Sequence, residues 1–166
     1  DRAGDLSREA LALLPMECDY GRGVAAIFLS SALFARGDGA EAERFLTAEY
    51  AAATNRSGSY ARRMLLAQAL NALQAGRLET AQQLAQVKLR RAIQSREALS
   101  EGWAHYVLGY IAYQKNDLPL AAEHFSAAAE LRYQTQLLVA RNGLIGLALV
   151  AEVSGNSGRA NEILDD

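Results

Sequence analysis

The chain has 166 residues, of which 51% are hydrophobic, and its 17 basic and 19 acidic residues give a formal net charge of −2. This composition excludes a disordered chain, allows one domain with a sizeable core, and lacks the basic character that nucleic-acid binding requires. A single cysteine, Cys18, excludes an internal disulfide, and no apolar run reaches the length of a membrane span, so we expect a cytoplasmic protein.

The predicted elements are all helices. Alanine and leucine dominate the sequence and only Pro15 and Pro119 interrupt it, which favours helix from end to end. The first predicted helix, 5–14, ends before Pro15 and resembles the last helix of a preceding unit. Further helices are predicted at 22–35, 40–54, 59–75, 78–96, 100–114, 118–132, 135–153 and 157–165.

Turn signals recur at a fixed spacing along the chain. Their central residues are Gly37, Gly76, Asn116 and Gly155, and the steps between them are 39, 40 and 39 residues. Glycine and asparagine are the residues that end a helix in a left-handed cap. We therefore predict four antiparallel helix-turn-helix units.

Equivalent positions in the four repeats, called columns below, carry matching residues and support this repeat. Five residues after the turn stand Ala42, Ala81, Ala121 and Ala160, and seven before it stand Ser30, Ala69, Gly109 and Ala148. The column eight before the turn is apolar except for Gln68, and the column nine after it holds Leu46, Ala85, Phe125 and Leu164. Small residues at matching points let paired helices approach closely, so each second helix should bury its stripe on the first.

These patterns predict an all-α fold. The expected architecture is a right-handed superhelical solenoid that forms one domain over residues 1–166. Both ends resemble interior repeats rather than caps, so we expect the domain to have been excised from a longer chain.

The small residue, the turn glycine and the following alanine resemble the tetratricopeptide repeat, whose usual period of roughly 34 residues is shorter. The segments 103–109 (WAHYVLG), 116–118 (NDL) and 121–125 (AAEHF) are most similar to the central repeats of the MalT-like, large ATP-binding LuxR-type transcriptional regulators. This resemblance implies a region that receives an inducer or a partner protein and relays the event to nucleotide-binding and DNA-binding modules.

The chain contains neither of those modules. A P-loop is excluded because no Gly-Lys dipeptide is present, and no basic helix-turn-helix is evident at the C-terminal end. We therefore predict no enzymatic activity, no cofactor, and no direct binding of nucleic acid or membrane by this chain. Self-association is left open.

An aromatic stripe is the main candidate site. Trp103, Tyr106, Tyr110 and Tyr113 lie at i, i+3, i+7 and i+10, so they share one face of a helix. Counted back from the turns, they occupy the columns that line the groove of tetratricopeptide-like units, and the polar residues expected beside them are Arg63, Asn142, Gln74 and Gln114. Such a surface could stack on a small-molecule effector and bind it through hydrogen bonds.

Two alternatives stay open for this stripe and for the function. Aromatic stripes at helical spacing are often buried core. The second unit carries Leu66, Leu70 and Leu73 in the groove columns, and a leucine-lined groove suits a partner helix, so a generic scaffold that binds a peptide or helix is the other possible function.

Three further patterns have structural interpretations. His105 and His124 should approach each other across the third hairpin as a packed pair, since two histidines are too few for a metal site. Gly21 and Gly23 match part of a dinucleotide fingerprint, but no strand precedes them, so this segment is predicted to be a loop that enters helix 22–35. The basic run at 88–96 is predicted to be a solvated helix face.

Overall fold

The computed structural model describes residues 2–53, 58–131 and 137–165. These residues form nine α-helices and no strand, with bounds close to those predicted. The helices are α1 (Arg2–Leu13), α2 (Asp19–Ala35), α3 (Gly39–Ala53), α4 (Gly58–Gln74), α5 (Leu78–Ser95), α6 (Ala98–Gln114), α7 (Leu118–Glu130), α8 (Leu137–Val153) and α9 (Ser157–Asp165). In this part of the chain, no helix combines the length and the apolar character needed to cross a membrane.

The helices group into two compact units, residues 1–84 and 85–166, and the division falls within α5. In the first unit α2 packs against α1, α3 and α4, and α3 packs against α4. In the second unit α7 packs against α6 and α8, α6 packs against α8, and α8 packs against α9. Within each unit, consecutive helices therefore pack on each other, as expected for a helical repeat. The single domain and its right-handed superhelix stay predictions.

The predicted turn residues all adopt the left-handed conformation. Their φ angles are 87° at Gly37, 71° at Gly76, 59° at Asn116 and 77° at Gly155. In the first turn the Gly37 N–H donates to the carbonyl of Phe34, and the Asp38 N–H donates to that of Leu33. The same pair of bonds closes the other three turns. This is the Schellman cap, which satisfies carbonyl groups at the end of a helix through the backbone alone.

A fifth cap of the same kind joins α5 to α6, and the sequence pattern did not reveal it. Arg96 has a φ of 52°, and its N–H donates to the carbonyl of Ile93. The next N–H, of Glu97, donates to the carbonyl of Ala92. Arginine therefore occupies a position that favours glycine.

The columns of small residues are buried as predicted, and one larger residue in another column is not. The alanines five residues after the turns are at most 5% exposed, and the small residues seven before the turns are also buried. In the column nine residues after the turns, Leu46 and Phe125 are buried, but Leu164 is 60% exposed. In α9 the neighbouring Ile163 is buried instead, in a cluster with Ala148 and Ala160.

Helix α2 begins three residues earlier than predicted, so Gly21 and Gly23 lie in its first turns rather than in a loop. Arg22, which is buried, joins the first turn of α2 to the end of α1. Its Nη1 donates to the carbonyls of Leu11 and Leu14 at 2.7 and 2.9 Å, at the C-terminal end of α1. A cation at that end of a helix is favourable because the last carbonyl groups have no partner within the helix.

The basic run on α5 is only partly solvated, so that prediction was wrong in one position. Arg90, Arg91 and Arg96 are exposed, whereas Lys88 is 2% exposed. Lys88 lies three residues after Ala85 and four before Ala92, both of which are buried. That spacing places it on the buried face of α5.

Candidate functional site

The four predicted aromatic residues form a continuous row along α6, called the aromatic row below. The rings of Trp103 and Tyr106 lie edge to face, with centroids 5.8 Å apart and an interplanar angle of 80°. Tyr106 and Tyr110 are 6.2 Å apart, as are Tyr110 and Tyr113. Every step falls within the distance range of favourable aromatic pairs.

One side of the aromatic row is part of the core. All three tyrosines pack against the buried cluster that contains Phe125 and Val150, and the ring centroids of Tyr106 and Phe125 are 6.3 Å apart. All four aromatic residues are nevertheless only partly buried. The row thus combines the two alternatives left open by the sequence, because its rings contribute to packing and still retain accessible surface.

The polar tips of the row keep some contact with solvent. The hydroxyls of Tyr106, Tyr110 and Tyr113 and the indole N–H of Trp103 form no hydrogen bond to any residue that the structure describes. None of these atoms is among the buried polar atoms that lack a partner, so all four reach solvent. Burial and then the neighbouring Tyr110 phenol raise the pKa of Tyr106, so its hydroxyl stays protonated and able to donate at neutral pH.

The other predicted site residues are divided between the two units. Gln114, at the end of α6, is exposed, and Asn142 of α8 is partly buried; both belong to the second unit. Arg63 and Gln74 lie on α4 in the first unit. The convergence of Arg63 and Asn142 beside the aromatic row stays a prediction.

Arg63 has partners in its own unit that the sequence analysis did not anticipate. Its guanidinium lies over the ring of Tyr20, 4.7 Å from the centroid, in a cation–π contact. The Arg63 side chain also passes so close to Gly23 that a Cβ there would clash with it. Gly23 is a signal of this close approach in the sequence, although the sequence pattern predicts a loop there.

The two histidines meet as predicted. Their Nδ1 atoms are 3.0 Å apart and their ring centroids 5.2 Å apart, which fits a hydrogen bond between two rings tilted by 47°. Burial lowers the pKa of both rings; the neighbouring His124 lowers that of His105 further, and Glu123 opposes both shifts. The described residues hold no group of three or more potential ligands that could bind a metal ion.

No family model and no curated protein matches this chain. The resemblance to LuxR-type regulators therefore depends on the segments quoted from the sequence. Support for a function comes from those segments and from the geometry of the aromatic row.

Proposed function

We propose that this chain is a non-enzymatic sensing domain that binds an effector or partner on the aromatic row and relays that binding within a LuxR-type transcriptional regulator. The observation that carries the binding role is the row itself. It offers ring surface for stacking and four polar atoms that have no partner among the described residues. Rings with one apolar body and one accessible polar tip are typical of binding surfaces.

The packing behind the row supports a relay. Tyr106 contacts Phe125 of α7, and the Phe125 ring lies directly against the backbone of α6 at Gly109 and of α8 at Gly146. Close-packed interiors transmit small displacements because they contain no free space to absorb them. A ligand that shifts Tyr106 would therefore move Phe125, and with it the contact between α7 and α8.

A generic scaffold is the second candidate, and the surface of α8 favours it. Ile145 and Leu149 are 42% and 40% exposed. They occupy the same columns, counted back from the turn, as Tyr106 and Tyr110 on α6. Because α8 packs against α6, an apolar strip in these columns would extend the area available to a protein partner.

Trp103 is the only tryptophan in the chain and gives a direct test of binding. Its fluorescence should respond saturably to at least one member of a panel of metabolites and peptides. Tyr110→Ala should weaken that binding by about tenfold or more, as expected for an aromatic anchor, whereas Phe28→Ala should leave it unchanged. Phe28 is a suitable control because it is an exposed aromatic residue outside the row.

Amide hydrogen exchange tests the relay separately from binding. Ligand binding should change amide hydrogen exchange in α8 as well as in α6, because Phe125 contacts both helices. A response confined to α6 would leave binding intact and contradict the relay. No response of Trp103 to any probe, or equal binding by the Tyr110→Ala variant, would contradict the binding role.

A further inference from the structure

We propose that the aromatic row binds a proline-rich segment in the polyproline II conformation. This inference rests on the proposed function, because it names the class of partner that the same surface accepts. Its basis is the match in length, in polar groups and in charge between the row and such a segment.

The length of the row fits a short extended peptide. Ten residues of α-helix separate Trp103 from Tyr113, a rise of about 15 Å, and polyproline II advances about 3.1 Å per residue, so about five residues span the row. Trp103 and Tyr110 are separated by about 10.5 Å of helix, as are Tyr106 and Tyr113. One polyproline II turn covers about 9.3 Å, so successive turns would meet equivalent rings.

The polar tips discriminate between an extended peptide and a helix. An amphipathic helix satisfies its own carbonyl groups, and its apolar face would cover the three hydroxyls without offering acceptors. A polyproline II segment has no internal hydrogen bonds, so its carbonyl groups are free to accept from Tyr106, Tyr110 and Tyr113. Proline also lacks an N–H, so such a segment adds no donor that must be satisfied.

The row carries no charged side chain, which disfavours an ionic ligand as the occupant. The exposed side chains at the equivalent positions of α8, Ile145 and Leu149, are suited to proline rings rather than to charged groups. Docking of proline-rich segments on a surface lined by aromatic side chains is a mode of recognition that exploits the stiffness of the polyproline II chain. The stiffness lowers the ordering cost of binding.

The test uses the whole chain with a synthetic decaproline peptide, followed by Trp103 fluorescence and titration calorimetry. An alanine- and leucine-rich amphipathic helical peptide of the same length is the competing probe. The triple variant Tyr106→Phe, Tyr110→Phe and Tyr113→Phe keeps the rings in the core and removes only the hydroxyls. Tyr20→Phe is the matched control, since Tyr20 lies in the first unit outside the row.

We expect decaproline to bind saturably, and the triple variant to bind at least about tenfold more weakly, since each lost hydrogen bond costs several-fold in affinity. Tyr20→Phe should bind like the original chain. Equal binding by the triple variant, or the absence of saturable decaproline binding, would overturn the proposal. If the helical peptide or a metabolite binds instead, the polyproline assignment fails while the proposed binding role stands; if no probe binds, both fail.

Discussion

The ring of Phe125 lies against the backbone of Gly146 so closely that a Cβ at Gly146 would overlap the ring. Gly109 bounds the ring on the α6 side, where a Cβ would come within 2.8 Å of Phe125 Cδ1. Phe125 is itself 1% exposed. The second unit is thus built around one phenyl ring held between two helix backbones.

Gly146→Ala should therefore destabilise the protein by about 1–3 kcal/mol, because the added methyl group forces the packed ring to move. Gly109→Leu should be at least as costly for the same reason. Urea denaturation measures both. Gly158→Ala is the control: a Cβ there would meet only Asn156 Oδ1, at 3.9 Å, and alanine should be neutral or stabilising by up to about 1 kcal/mol in a helix. Equal stability of all three variants would show that the core adapts around Phe125.

Arg96→Gly should stabilise the protein. The φ of 52° at Arg96 is strained for a residue with a Cβ and unstrained for glycine. Part of the gain is offset by the greater freedom of glycine in the unfolded chain, so we expect a net increase of about 0.5–1 kcal/mol in the free energy of unfolding. Arg90→Gly, at an exposed site within α5, should instead cost about 1 kcal/mol. A loss of stability in Arg96→Gly would contradict the left-handed cap.

The histidine pair should make stability depend on pH near neutrality. Both folded pKa values lie below the ordinary value of about 6.5, so around and below that pH the unfolded chain binds protons that the folded chain does not. The free energy of unfolding should therefore fall as the pH drops from about 7 through the lowered folded values. The Nδ1–Nδ1 hydrogen bond also needs one unprotonated ring as acceptor.

Urea titrations between pH 7.5 and 5 check this dependence. The variant His105→Gln, His124→Gln should show a flatter profile above pH 5, since the chain has no other histidine. The slope, rather than the absolute stability, is the relevant quantity. An unchanged slope in the variant would rule out the pair as the source.

Asn71→Leu should stabilise the first unit. Asn71 is 5% exposed, and its Nδ2 lies among the buried atoms without a hydrogen-bond partner. The same column holds Ala32, Ile111 and Val150 in the other repeats. Removing an unsatisfied buried donor should raise the free energy of unfolding by about 1–3 kcal/mol. Asn161→Leu, at an exposed site of α9, should change it little; a destabilised Asn71→Leu would reveal a polar role for this side chain.

Most of the fold could be predicted from the sequence because its signals are local. The left-handed cap needs only one glycine or asparagine, and the helix periods around it follow from residues a few positions away. The contacts made by the first turns of α2 could not be predicted because they are not local. Arg22 acts on the end of α1, and Gly23 makes room for Arg63, forty residues later.

The shared helix face of the four aromatic residues could be predicted from the sequence, but their environment could not. The spacing of Trp103, Tyr106, Tyr110 and Tyr113 determines that they share a face, and periodicity alone cannot decide between core and surface. Their intermediate burial depends on Phe125 and Val150, which come from two other helices. The cation–π contact of Arg63 with Tyr20 and the burial of Lys88 also depend on tertiary packing, which the sequence pattern does not encode locally.

The repeated Schellman caps also bear on how such a chain can grow. Each turn is closed by two backbone hydrogen bonds and one left-handed residue, so it needs no specific side-chain partner elsewhere in the protein. A gene segment that encodes one helix-turn-helix unit could therefore be duplicated or deleted without leaving an unsatisfied turn. Length variation by whole units of 39 or 40 residues would then conserve the turns and alter only the helix faces between neighbours.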